Sequence, residues 1–87
     1  MIPTYKYGTI PAGGVATVNV GGYPAPFTAS LTSTAAGRQI AYAPNTTVTP
    51  EPATPDTEAT GWISFGFLSP MCIVQFSGNV GDAWEIR

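Results

Sequence analysis

Side chains able to move a proton or hold a metal are scarce in this chain: no histidine, one cysteine (Cys72), three cations (Lys6, Arg38, Arg87) and five acids. The acids fall into two groups, Glu51, Asp56 and Glu58 in one segment and Asp82 with Glu85 near the C-terminus. General acid and base work needs two carboxyl groups facing each other across a substrate. The first group reads instead as solvated loop acids, and Asp82, in a Gly-rich turn, as a side chain that bonds nearby backbone. Asp56 and Glu58 lack the regularly spaced oxygen ligands of an EF-hand calcium loop. Serine and threonine are plentiful, but without histidine they have no usual base, and Lys6 stands near the terminus.

The remaining motifs have structural explanations. Gly13-Gly14 and Gly21-Gly22 lack the lysine and following helix of a phosphate-binding loop, and read as turns. Asn45-Thr46-Thr47 spells a glycosylation sequon, a pattern frequent by chance. Cys72 lies beside Met71, Ile73 and Val74 and reads as a small buried hydrophobe, not a reactive thiol. The expectation is a protein that is not an enzyme and uses no metal or cofactor.

Charge narrows the partners. A net charge of −2 with three cations offers no basic stripe to displace counterions from a phosphate backbone, so nucleic acid is not expected. No polybasic patch exists for an anionic membrane, and no apolar run approaches the roughly 20 residues that span a bilayer. Residues 1–7 show no cationic stretch followed by an apolar one, which reads as synthesis and folding in a cytoplasm.

What must position any site is a set of short strands. Ten glycines and nine prolines punctuate stretches rich in Val, Ile, Thr and aromatic residues, which leaves no room for long helices. The spacing predicts strands over residues 5–10, 15–20, 27–32, 38–42, 61–68, 71–77 and 83–87. Period-two alternation puts Phe27, Ala29 and Leu31 on one face, and Ile63, Phe65 and Phe67 opposite Trp62, Ser64, Gly66 and Leu68. Cys72, Val74 and Phe76 form a third inward row, and Trp84 with Ile86 a fourth. The fold class is therefore all-β: a single domain over residues 1–87, a small antiparallel sandwich or barrel of about seven strands. Ser69-Pro70, between two strong strands, reads as the tight connection of a hairpin.

Residues 44–60 depart from this rhythm, with four prolines, three of the five acids and Val48 as the one sizeable apolar residue. The segment reads as an exposed, semi-extended loop, either a solvated connector or an arm that touches a neighbouring subunit or ligand. Tyr5, Tyr7, Tyr23, Tyr42 and Trp62 have the amphipathic rings that line sugar-binding faces and protein interfaces, although Trp62 and Trp84 read first as core or core edge. Tyr5 and Tyr7, on one strand face near Ile2, are the preferred interface candidates, with Val48, Glu51 and Asp56 of the loop.

From Ile10 onward the chain resembles a small β-sandwich module of tailed-bacteriophage virion structural proteins. The resemblance rests on IPAGGVATVNVGG, GRQIAYAP from Gly37, GWISFGFLSP and the closing IVQFSGNVGDAWEIR. It implies a head decoration, or cement, protein that binds the outside of a capsid and reinforces contacts between subunits, with the major capsid protein as partner. It further implies location in the virion and a homo-oligomer, a trimer at a threefold position of the shell. The alternative is a receptor- or glycan-binding module of a tail fibre or spike.

Overall fold

A computed structural model describes residues 4–33, 38–53 and 62–87. Eight strands run in chain order as β1 (Lys6–Thr9), β2 (Val15–Asn19), β3 (Phe27–Thr32), β4 (Gln39–Ala43), β5 (Glu51–Pro52), β6 (Trp62–Phe67), β7 (Ile73–Ser77) and β8 (Ala83–Ile86). They form two four-stranded sheets, one ordered β1-β8-β3-β6 and the other β2-β7-β4-β5. Every pairing is antiparallel. Among the described residues there is no helix, and the all-β sandwich expected from the alternation is the architecture found.

Alternation explains how each strand faces the core. In β3 Phe27, Ala29 and Leu31 are buried while Thr28 is exposed, and in β2 Ala16 and Val18 are buried between exposed Val15, Thr17 and Asn19. Val74 and Phe76 of β7 and Trp84 and Ile86 of β8 complete the inward rows. Rings join the two sheets: Phe76 stacks on Trp84 at 5.2 Å between centroids, and Tyr42 meets Phe67 edge-on at 5.6 Å. Each such ring, once buried, contributes about 1.5–3 kcal/mol from area alone.

Several details differ from the sequence reading. β6 and β7 are not a hairpin: β6 pairs with β3 in the first sheet, and β7 lies between β2 and β4 in the second. Residues 68–72 thus carry the chain from one sheet to the other, and five residues of extended backbone cover the ~10 Å between packed sheets. A short strand, β5, lies inside the segment expected to be loop, pairing Glu51 with Tyr42 and Pro52 with Ala41. Its neighbours Pro44 to Thr49 are exposed as expected, while residues 54–60 lie outside the described residues. Cys72 is half-buried, not buried, because it sits in the crossing segment where its backbone bonds Ala43 and Val20.

Among the described residues, one charged side chain is in the core. Arg38 is 2% exposed, and its Nη1 donates to the Ser33 carbonyl at 2.8 Å. A guanidinium in such surroundings must be supplied with acceptors, because an unsolvated charge is costly.

Candidate functional site

The outward face of the first sheet gathers the exposed aromatic side chains. Because Phe27, Ala29 and Leu31 point inward, Thr28, Ser30 and Thr32 point outward, and the register extends that outward row across all four strands. Tyr7 pairs with Glu85, Glu85 with Ser30, and Ser30 with Ser64. One step along, Thr9 pairs with Ala83, and Thr32 with Trp62. Tyr7 on edge strand β1 is 78% exposed and Trp62 on the opposite edge strand β6 is 55% exposed. Three strand spacings, roughly 14 Å, separate these two strands.

Between the rings lies a depression of about 380 Å³ lined by Tyr7, Thr9, Trp62, Ala83 and Glu85, with Gly8 and Trp84 completing its wall. The Glu85 carboxylate takes a 3.1 Å ion pair from Arg87 on the same face, and the Ser30 and Ser64 hydroxyls bond each other at 3.0 Å. Thr32 Oγ1 is buried without a hydrogen-bond partner. This surface can stack a flat or ring-shaped ligand and exchange hydrogen bonds with it. The described residues hold no group of His, Cys, Asp and Glu side chains placed to bind a metal.

A second hollow, of about 320 Å³, lies where β4 and β5 leave the second sheet, lined by Tyr42, Pro44, Val48, Thr49 and Glu51. The fold thus brings Val48 of the loop and Glu51 of β5 to one hollow, and adds Tyr42 through the Tyr42–Glu51 register pair. Asn45 closes the loop locally, its Oδ1 accepting from the Thr47 amide at 2.9 Å, so the sequon residues form an Asx turn.

The other predicted interface residues separate. Tyr7 stands on the outer face, but Tyr5 precedes β1 and is half-buried, its ring 4.9 Å from that of Tyr23 and packed on the core. Ile2 and Asp56 lie outside the described residues. Asp82 acts as expected, its Oδ2 accepting from the Asn79 amide at 2.8 Å across the β7–β8 turn. Trp62 is the correction: it is surface, not core edge. The signal was present, since a row of Ile63, Phe65 and Phe67 facing inward turns Trp62 outward. Glu85, between Trp84 and Ile86, follows the same rule. No protein-family model, curated protein or solved structure matches the chain.

Proposed function

We propose that this protein is a non-enzymatic structural component of a phage virion that binds the outside of the capsid and reinforces contacts between capsid subunits. One observation carries the reading: a small sandwich with a filled core leaves large apolar side chains in solvent, Leu68 at 88%, Val80 at 64%, Val48 at 44% and Val15 at 42%. Side chains of that kind gain free energy when a neighbouring surface covers them. With few charges on the chain, docking carries a small electrostatic desolvation cost. The likeness of its glycine turns and aromatic strands to virion β-sandwich modules supplies the partner, the major capsid protein, and the homo-oligomer.

Quantitative mass spectrometry of purified virions tests this. A decoration protein follows the symmetry of the shell, so on the order of tens to hundreds of copies per particle are expected, in simple ratio to the major capsid protein. A handful of copies overturns the shell assignment in favour of the tail, and absence from the particle overturns the virion reading.

A further inference from the structure

We propose that the outer face of the β1-β8-β3-β6 sheet is a binding site for a neutral oligosaccharide, with Tyr7 and Trp62 as stacking surfaces and Glu85 as the polar anchor. Two aromatic rings stand at its opposite edges, both on the rim of one depression of about 380 Å³, a volume within the range of small-ligand sites, about 300–1,000 Å³. The face of an aromatic ring is electron-rich and attracts the polarised C–H groups on the apolar side of a pyranose. Between the rings the depression is lined by Thr9, the small side chain of Ala83 and Glu85, and the Ser30–Ser64 hydroxyl pair lies next to Glu85 in the register row.

That order of groups selects among ligands. A protein partner favours an aromatic centre and a polar rim, because hot spots are central and desolvated. Here the aromatics are at the edges and the hydrogen-bonding groups lie between them, so a dry protein surface would bury hydroxyls and a carboxylate with too few partners. A sugar supplies both complements: ring faces for Tyr7 and Trp62, and hydroxyl donors for Glu85. A carboxylate offers about four acceptor sites, and Arg87 engages Oε1 from a side chain that is itself 56% exposed. Nucleic acid is disfavoured, because Arg87 is the one cation on this face and is paired to Glu85. With Arg87 committed to Glu85, this face also has no free cation among the described residues to hold a uronic or sialic acid, which makes the preferred glycan neutral. The site stands whether or not the chain coats a shell, since copy number in virions and binding by purified protein are independent readouts.

The test is titration of the purified chain with maltotriose, cellotriose and triacetylchitotriose, followed by tryptophan fluorescence and by amide shifts in ¹H–¹⁵N spectra. Saturable binding of at least one trisaccharide is expected, with shifts centred on Tyr7, Ser30, Trp62 and Glu85. Trp62→Ala and Tyr7→Ala should each weaken it about tenfold, the loss of one stacking contact, while Leu68→Ala leaves it unchanged. No saturation with any of the three, shifts centred elsewhere, or wild-type affinity in both aromatic variants overturns the proposal. So does sedimentation showing that this face is closed by a second copy, with Trp62→Ala dissociating the pair. The shift map on the wild-type protein decides the matter even if a variant fails to fold.

Discussion

Gly8 is fixed by its neighbour. A Cβ built there would lie 2.8 Å from Cζ2 and 3.1 Å from Cε2 of Trp84, whose indole is buried and stacks on Phe76 at 5.2 Å. Alanine in place of a strand glycine ordinarily gains about 0.5–1 kcal/mol of backbone entropy. Overpacking a filled core costs about 1–3 kcal/mol, so the clash decides the sign. Gly8→Ala is therefore expected to lower stability by about 1–2 kcal/mol, read as a lower urea midpoint. An unchanged or raised midpoint would mean that the indole does not lie under β1. Thr32 offers the opposite case. Its Oγ1 is buried without a partner, so Thr32→Val keeps the β-branched shape and removes an unmet polar group. A gain of about 1 kcal/mol in the same assay is expected, and a loss would reveal a hydrogen bond to that hydroxyl.

At the scale of elements, the junction of β6 and β7 separates what alternation determines from what it leaves open. Phe67 is 2% exposed and meets Phe27, Tyr42 and Phe65 at centroid distances of 5.0, 5.6 and 4.9 Å, whereas its neighbour Leu68 is 88% exposed. Phe67→Ala should cost about 3–5 kcal/mol, a large part of the stability of so small a domain. Leu68→Ser should stay within about 0.5 kcal/mol of wild type. Thermal melts of the two variants check this, and equal shifts would contradict a chain that crosses between sheets after Phe67. All seven strands expected from the sequence are present within two residues at either end, because Gly and Pro bound each β-rich stretch and most stretches carry an inward row, although β1 has no buried residue. Which sheet a row belongs to is another matter: Ile63-Phe65-Phe67 and Val74-Phe76 are equally apolar, and Ser69-Pro70 suits a hairpin as well as a crossing. β5 escaped notice because two residues, Glu51 and Pro52, contain no period to detect. Arg38 escaped because a charge in a strand pattern ordinarily marks the solvent side.

For the molecule as a whole, the strands that come last in the chain hold the middle of each sheet. β8 lies between β1 and β3, and β7 between β2 and β4. This is why the candidate site has no motif: Tyr7, Ser30, Trp62 and Glu85 come from four separate segments and meet only through the register of β1, β3, β6 and β8. The aromatic and acidic residues were visible individually, but their shared face depends on pairings that no local pattern encodes. The same topology makes the C-terminal segment indispensable. Removing residues 83–87 would take Trp84 and Ile86 from the core, leave β1 with no strand to pair with, and expose the inner edge of β3. Loop-closure entropy for the remaining long-range pairings would then have no compensating burial. The truncated chain is expected to lose its β-sheet circular dichroism and its cooperative melt, and to bind none of the trisaccharides. A truncated chain that still melts cooperatively near the wild-type temperature would show that β8 is not the interior strand of the first sheet, and the outer face proposed as a binding site would have to be redrawn with it.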